Sequence, residues 1–459
     1  MNEATAKGNK SAHATAPRPI VDDSLWPLVP SPQDAMVLAI LYQLEESEWW
    51  PIERLFERQT IQLGQLVSHA VRTVPLYRDR LGAVADAITP EAWRNLPVLT
   101  RADIQNNFDD LQSGDLPPNH GTIHQISTSG STGAPVSVRS TTAKNLVEEA
   151  INLRRLLWHR RDFAAKAAVI ASLAPDQALP PHGRKARSWA PVYPTGPLAV
   201  LNMRSTVDEQ IAWLQREKPA YLMTYPNLLR GLVERCEETA TGLDGLLSVG
   251  TRGEPVPDEL RADCRRVLGA GIVDGYSAEE VGLVAVQCPE HEHYHVQAES
   301  TCLEVVDADG RPCAPGETGR VLITPLHNFA MPLIRYEIGD LAEVGEPCSC
   351  GRGLPVLRRI LGRYRNLLIF PNGNRMRLNF RGGMFDNPAI RQIQVVQTSR
   401  EHLKVRFAVK RRLSAEEETG IRRAFHEFLE HPFEISFEYV DEIERQPSGK
   451  FEDFRSEIA

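Results

Sequence analysis

The sequence contains no apolar run long enough to cross a membrane and no region dominated by charge of one sign. A membrane-spanning helix needs roughly 18–20 consecutive apolar residues, and no stretch approaches that length. The net charge is −8, and lysine and arginine are scattered along the 459 residues. A basic surface for nucleic acid or an anionic membrane is therefore not expected.

Cysteine is scarce, with seven in the chain. An odd number of cysteines behind a start that lacks an apolar core is typical of a protein of the reducing cytoplasm. Residues 1–19 are small and polar, which argues against a signal peptide or a membrane anchor. We expect a disordered tail over residues 1–19 and a cytoplasmic localisation.

The chain as a whole has the composition of a folded protein, with 42% hydrophobic and 24% charged residues, and is longer than one typical domain. Apolar residues recur at helical spacing over 32–81. Further on, helical stretches (146–159, 206–216) alternate with short apolar runs (167–173, 319–324). This alternation predicts an α/β fold with mostly parallel sheets.

The pattern changes near residue 362, which predicts a second, smaller domain. Strand-like runs and one helical stretch follow each other there, in a unit of about 100 residues, an ordinary size for a domain. The expected organisation is a tail (1–19), a large α/β domain (20–361) and a small α+β domain (362–459).

The most informative segment is rich in hydroxyls and glycine, and it reads Ser127-Thr128-Ser129-Gly130-Ser131-Thr132-Gly133. Glycines let backbone N–H groups turn toward an anion, and the hydroxyls add further donors. Such a loop can hold the β- and γ-phosphates of a nucleotide. Gly-Lys-Ser/Thr does not close it, which argues against a P-loop kinase or ATPase. A flexible linker is the alternative interpretation.

Further motifs follow this loop in a specific order: Gly253-Glu254-Pro255, Tyr276-Ser277-Ala278-Glu279-Glu280, Arg335-Tyr336-Glu337-Ile338-Gly339-Asp340, Gly362-Arg363 and Pro447-Ser448-Gly449-Lys450. Together they resemble the core motifs of the adenylate-forming superfamily, which includes acyl-CoA synthetases, adenylation domains and luciferases. The resemblance is strongest to the phenylacetate–CoA ligase-like branch and extends over nearly the whole chain after the tail.

The resemblance implies a reaction in two steps. A carboxylate attacks the α-phosphorus of ATP to give an acyl-adenylate and pyrophosphate, and a thiol, most simply that of CoA, then displaces AMP. The alternatives are transfer to an amine or to a carrier-protein thiol, and a catalytically inactive nucleotide-binding scaffold. The acid is not identified, although Trp189, Tyr225 and Pro226 suggest an aryl or acyl slot. A homodimer is compatible with the sequence.

The resemblance also implies a role for each nucleotide-binding motif. The segment from Ser127 to Gly133 would hold the pyrophosphate end of ATP, and Gly253-Glu254-Pro255 would border the base. Tyr276, followed by Ser277, would stack on adenine. Asp340 would accept hydrogen bonds from both ribose hydroxyls, and Arg363 would lie near the ribose and phosphate at the domain junction.

Two residues are implied in the chemistry. Glu280 matches a Mg²⁺ ligand, and a carboxylate suits this hard cation. Ser277 and Glu279 stand where relatives usually carry Gly and Thr, so Glu279 remains an alternative ligand. Lys450 matches the catalytic lysine, which the mobile small domain would bring between the substrate carboxylate and an α-phosphate oxygen.

Cys348 and Cys350 form a close pair, and Cys288 lies upstream beside a histidine-rich stretch. Three thiolates and one imidazole make a closed tetrahedral zinc site, and the resemblance supports zinc because some ligases of this branch carry it here. We favour His295 as the fourth ligand because it begins a strand-like stretch. Open alternatives are His291, His293 and a set of reduced surface cysteines without metal.

Overall fold

The computed structural model describes residues 16–20, 26–81, 89–127, 135–364, 367–373, 375–378, 387–443 and 453–458. These residues form ten helices, which are α1 (Pro32–Ser47), α2 (Ile52–Thr73), α3 (Pro75–Leu81), α4 (Pro90–Arg94), α5 (Arg101–Asn106), α6 (Thr142–Trp158), α7 (Val207–Glu217), α8 (Pro226–Glu238), α9 (Asp258–Leu268) and α10 (Ala415–Leu429). None of the helices in the described part of the chain combines the length and the apolar character that crossing a bilayer requires.

The same residues form twenty strands, which are β1 (Ile123–Ser127), β2 (Ser137–Thr141), β3 (Ala167–Ala171), β4 (Arg184–Ala186), β5 (Leu198–Asn202), β6 (Tyr221–Thr224), β7 (Ser248–Thr251), β8 (Gly271–Ala278), β9 (Gly282–Gln287), β10 (Tyr294–Val296), β11 (Thr301–Val306), β12 (Thr318–Pro325), β13 (Tyr336–Val344), β14 (Val356–Arg363), β15 (Leu367–Ile369), β16 (Arg375–Arg377), β17 (Ile390–Gln397), β18 (His402–Val409), β19 (Glu434–Val440) and β20 (Phe454–Ser456).

Twelve strands form one large sheet in the order β11-β12-β13-β14-β10-β9-β8-β7-β6-β3-β5-β4. Strands β5, β3, β6, β7 and β8 run parallel, because helices α7, α8 and α9 connect successive strands and return the chain to the same edge. The other pairings in this sheet are antiparallel. The predicted α/β class is confirmed, but the expectation of a mostly parallel sheet holds only for these five strands.

Helices α7, α8 and α9 pack on one face of the parallel strands. Their apolar residues form a core with the strands, exemplified by Trp213, Leu229 and Ile170. The N-terminus of α7 is held by a capping box, in which Thr206 accepts from the Glu209 N–H and the Glu209 carboxylate accepts from the Thr206 N–H. Helix α6 packs against α1 in a separate apolar cluster. These helices fix the strand ends that carry the motifs.

The C-terminal part forms a small α+β unit, as the sequence predicts. Its four-stranded sheet has the order β19-β18-β17-β20, and α10 contributes Phe425 to a core with Phe407, Phe433 and Phe454. Strand β14 of the large sheet continues to Arg363, so the first residues assigned to the small domain lie in the large sheet. The domain boundary stays a prediction.

Part of the expected tail contacts the body of the protein. The Arg18 backbone N–H donates to the Val192 carbonyl at 2.8 Å, and Pro19 forms a bridge with Pro30. The tail prediction therefore does not hold for these two residues, because backbone hydrogen bonds tie them down. Residues 1–15 lie outside the described part of the chain.

Candidate active site

Three of the predicted nucleotide-binding residues meet in one buried cluster. The Tyr276 hydroxyl donates to Asp340 Oδ2 at 2.7 Å, and Arg363 Nε lies 3.4 Å from Asp340 Oδ1. Asp340 and Arg363 are paired neighbours on the adjacent strands β13 and β14, which explains why distant motifs meet. Both oxygens of Asp340 are held in place, and each retains a lone pair for a further donor.

Electrostatics reinforce this cluster. Burial and the neighbouring Asp340 raise the pKa of the Tyr276 hydroxyl well above its usual value, so the phenol stays protonated and donates. Burial alone would lower the pKa of Arg363, but the carboxylates of Asp340 and Glu280 outweigh it and raise that pKa. The guanidinium remains charged beside two acidic groups, and the site is preorganised for a polar ligand.

Glu280 lies in the turn between β8 and β9, and its side chain is buried, whereas Glu279 is exposed. The Tyr336 hydroxyl donates to Glu280 Oε1 at 3.4 Å, and Arg101 Nη1 lies 3.7 Å from the same oxygen. Glu280 is thus the carboxylate that points toward the cluster. This placement favours Glu280 over Glu279 as a cation ligand.

Gly253-Glu254-Pro255 follows the end of β7, where parallel strands present their loops. Gly253 has φ +79°, a conformation that glycine adopts without strain. Glu254 Oε2 accepts from the Asn227 N–H at 3.1 Å, so the turn is tied to the start of α8. Ser277, the residue after Tyr276, is half-buried on β8.

The hydroxyl-rich loop begins at the end of β1, where Ser127 Oγ lies 2.7 Å from Ser137 Oγ of β2. Strands β1 and β2 pair antiparallel, and the rest of the hydroxyl-rich segment lies between them in the sequence. Thr128, Ser129, Gly130, Ser131, Thr132 and Gly133 lie outside the described residues, as does Lys450. Their assignments stay predictions.

A cavity of about 590 Å³ lies between α6 and the parallel strands. This volume is within the range of small-molecule sites. Trp189, Tyr221, Gly250 and Arg252 line it, so one of the three residues expected in an aryl slot contributes to its wall. The wall also contains charged side chains of α6 that the sequence analysis did not single out.

Four potential metal ligands meet between β9, β10 and the turn after β13. One ligand atom from each of Cys288, His295, Cys348 and Cys350 lies within 4.8 Å of the others. Cys350 Sγ is 3.4 Å from His295 Nε2, and Cys288 Sγ is 3.8 Å from Cys348 Sγ. The donor set and its compactness suit a closed tetrahedral zinc site.

The competing histidines lie close by. His293 Nε2 is 3.0 Å from Cys348 Sγ, and His291 Nε2 is 2.9 Å from Ser349 Oγ. Strand β10 pairs with both β9 and β14, which places His295 at the centre of the cluster. Burial raises the pKa of the Cys348 thiol to about 12, so a bound cation would have to displace its proton.

Comparison with known proteins places this geometry in a family. Residues 117–330 match the AMP-binding enzyme family, and residues 370–456 match the CapK C-terminal domain. The phenylacetate-coenzyme A ligase of Escherichia coli is 27% identical over 358 residues, which cover 72% of this chain and 76% of that enzyme. The chain belongs to the adenylate-forming superfamily. Within it, the chain lies on the phenylacetate–CoA ligase-like branch.

Other relatives of this adenylate-forming chain agree. The phenylacetate-coenzyme A ligase of Thermus thermophilus is 27% identical over 346 residues, covering 73% of this chain and 76% of that enzyme. The crystal structure of 2-hydroxyisobutyryl-CoA ligase in complex with 2-HIB-AMP, in the postadenylation state, has a TM-score of 0.66. It is 18% identical and covers 90% of this chain and 92% of that structure, which supports the shared fold.

Sequence reasoning missed two residues that complete the acidic side of the site. Arg101 opens α5, and Tyr336 opens β13, yet both side chains face Glu280. Tyr336 was visible only as part of the motif that ends at Asp340. Arg101 gave no signal, because an arginine at a helix start is usually a solvent-facing residue.

Proposed function

We propose that this chain is an AMP-forming acid–CoA ligase. It would activate a carboxylic acid with ATP, releasing pyrophosphate, and would transfer the acyl group from the adenylate to the thiol of CoA. The observation that carries the proposal is the convergence of Tyr276, Glu280, Asp340 and Arg363 on one site, through hydrogen bonds, ion pairs and mutual charge interactions. The two phenylacetate-coenzyme A ligases align with 72% and 73% of this chain, which supports the proposal.

In the first step the substrate carboxylate forms a bond to the α-phosphorus while the bond to pyrophosphate breaks. Asp340 would accept from the ribose hydroxyls, and Arg363 would lie beside the ribose and phosphates. Tyr276 would offer its ring to adenine, next to Ser277 and the turn Gly253-Glu254-Pro255. These contacts would position the α-phosphorus for attack and stabilise the charge that develops there.

Three further groups would complete this step. Glu280 would hold a Mg²⁺ ion, which neutralises phosphate charge when bound. The segment from Ser127 to Gly133 would donate to the leaving pyrophosphate. Lys450 would place its ammonium between the carboxylate and an α-phosphate oxygen, offsetting the repulsion between two anions.

We also propose a structural zinc ion held by Cys288, His295, Cys348 and Cys350. All four residues are fully or partly buried, and a closed site of four protein ligands leaves no position for substrate. The turn that carries Cys348 and Cys350 connects β13 to β14, the strands that pair Asp340 with Arg363. Zinc would therefore stabilise the nucleotide site, and reduced thiolates suit the cytoplasm.

The function is tested by ATP–pyrophosphate exchange with the purified full-length chain and a panel of carboxylic acids. Exchange that depends on the acid is expected, because adenylate formation is reversible. Adding CoA should then release AMP and consume the thiol. Acid-dependent exchange without a CoA effect would point instead to an amine or carrier-protein acceptor. If none of the acids supports exchange, the ligase proposal is wrong.

Substitution of Asp340 by asparagine should raise the KM for ATP about 10- to 100-fold, because hydrogen bonds to a charged acceptor contribute about 1.5–3 kcal/mol each. The kcat should change less. The measurement is acid-dependent exchange with ATP and with 2′-deoxy-ATP. The native protein should prefer ATP, and Asp340→Asn should treat both nucleotides alike.

The control for this prediction is Asp309→Asn, which changes an exposed aspartate in the turn after β11. It should retain both the native KM and the native preference for the ribose 2′-hydroxyl. If Asp340→Asn still discriminates between the two nucleotides as the native protein does, Asp340 does not bind the ribose.

A further inference from the structure

The wall of the cavity between α6 and the parallel strands carries more cationic than anionic side chains. It includes four arginines and two carboxylates, which are Arg18, Arg155, Arg161, Arg252, Asp34 and Glu149. Both carboxylates already have hydrogen-bond donors of their own. Glu149 accepts from the Gln33 amide, and Asp34 accepts from the Ser31 hydroxyl. Four guanidinium groups face two carboxylates, so the wall keeps an excess of positive charge.

Among these arginines, Arg155 has a guanidinium nitrogen without a hydrogen-bond partner in the described part of the chain. Its Nε is buried and has no hydrogen-bond partner among the described residues, and no carboxylate of those residues lies within 4 Å of its guanidinium. Burial lowers the pKa of Arg155, and the neighbouring Arg252 lowers it further, while Asp274 opposes them. Asp274 is engaged elsewhere, because it accepts from the Thr251 and Tyr294 hydroxyls at 2.7 and 2.6 Å.

Arg161 adds a second cation to the same wall. It donates to the Ser248 hydroxyl, and its guanidinium carbon lies 4.2 Å from the centre of the Tyr221 ring. Burial lowers the pKa of Arg161 to about 10, so it stays charged at neutral pH. His159 lines the cavity too, but burial lowers its pKa to about 4, and it contributes no charge.

Arg155 is half-buried, and a partly buried cation without a counter-ion costs free energy in the ligand-free protein. An anionic ligand group would remove that cost on binding. The carboxylate that reacts with ATP is not this group, because it must reach the nucleotide. Val273 lines the cavity, and Tyr276 lies three residues further along the same strand, about 10 Å away. An acid that reacts at the nucleotide and extends into this cavity would bring its far end beside the arginines, where a second anionic group would be paired.

We infer that the acid activated by this chain carries a second anionic group, which binds Arg155 and Arg161 in the cavity. The part of this inference that concerns activation of the acid rests on the proposed ligase function. The part that concerns binding of the second anionic group rests on the cavity alone. The apolar part of the wall, with Trp189 and Tyr221, would contact the carbon skeleton between the two anionic ends.

The test compares phenylacetate with 4-carboxyphenylacetate, which differ only by a carboxylate at the far end of the ring. Pyrophosphate release by the native protein should favour 4-carboxyphenylacetate in kcat/KM. Arg155→Met should lose about 100-fold in kcat/KM for this diacid, as for truncation of a buried charge pair. The change in kcat/KM for phenylacetate should be at least about tenfold smaller than that for the diacid, since phenylacetate carries no second anion for Arg155 to bind. The matched control is Arg58→Met, on the exposed face of α2, which should behave as the native protein does.

Thermal unfolding without ATP tests the binding site independently of catalysis. The diacid should raise the Tm of the native protein and not that of Arg155→Met, and inorganic phosphate alone should raise neither. Ligand-free Arg155→Met should unfold at the native Tm or above it, because a partly buried charge without a counter-ion has been removed. A lower Tm would mean that Arg155 is a structural residue, which overturns the inference. Should Arg155→Met fail to fold, the inference is equally overturned.

The remaining outcomes separate the two proposals. If the diacid binds in a manner that depends on Arg155 but none of the acids supports pyrophosphate release, the cavity assignment stands and the proposed ligase function is wrong. If phenylacetate is activated efficiently and the diacid has no higher kcat/KM in the native protein or in Arg155→Met, the ligase function stands. The inference of a second anionic group is then wrong. Equal stabilisation by inorganic phosphate would show a free-anion site, which also refutes it. Arg155→Lys, which keeps the charge and loses the planar fork, should retain a measurable preference for the diacid.

Discussion

Replacing Lys450 with alanine should reduce acid-dependent ATP–pyrophosphate exchange by about 1,000-fold or more, the scale of loss when one electrostatic contact to a transition state is removed. The ammonium would lie between two anions that must approach within bonding distance, so its charge contributes mainly when the new bond forms. The Kd for ATP should change less than about threefold, since the ammonium makes this contact in the transition state and not in the ground-state complex with ATP. Calorimetric titration with ATP and the exchange assay separate the two effects.

The control is Lys410→Ala, which removes an exposed ammonium at the end of β18 in the same C-terminal unit. It should exchange at the native rate, which rules out a general effect of charge on that unit. Lys450→Arg should recover little, because a broad planar guanidinium does not replace a compact ammonium at this point. Native exchange by Lys450→Ala would refute its catalytic role.

The sequence was a good guide where function depends on short motifs. Tyr276, Glu280 and Asp340 were identified from their motifs and their order along the chain, and the structure brings all three together with Arg363. The cluster of Cys288, His295, Cys348 and Cys350 was predictable for the same reason, because thiols at close spacing with a histidine-rich stretch have few structural uses. Helices α6 and α7 also lie where periodicity predicts them.

The sequence could not predict features that depend on tertiary packing. Both halves of the large sheet are built from similar apolar runs. The antiparallel pairings became apparent only in the structure, where short connections join β8 to β9 and β9 to β10. The cavity arginines were equally hidden. Arg155 occurs in an amphipathic helix, where a charged residue normally faces solvent, and only the position of α6 over the strands reveals that it lines the cavity.

Substitution of Cys350 by serine should abolish stoichiometric zinc binding and lower the Tm by about 10 °C, if the lost metal contributes several kcal/mol of stability. Serine is nearly isosteric, but its hydroxyl is a poor ligand compared with a thiolate, and three remaining ligands leave the site open. Because the same turn connects β13 and β14, affinity for ATP should fall as well. Metal analysis, thermal unfolding and ATP titration measure the three effects.

Two further variants make this prediction specific. Cys313→Ser changes a partly buried thiol outside the cluster, and it should keep both zinc and Tm. His295→Ala should lose zinc as Cys350→Ser does, while His293→Ala should retain it, although His293 Nε2 lies 3.0 Å from Cys348 Sγ. If His295→Ala keeps its zinc and His293→Ala loses it, the fourth ligand is His293 and not His295. If Cys350→Ser keeps its zinc and the native Tm, the Cys350 thiol is not a zinc ligand and only packs against its neighbours. Strands β13 and β14, which carry Asp340 and Arg363, would then be held together by their backbone pairing alone.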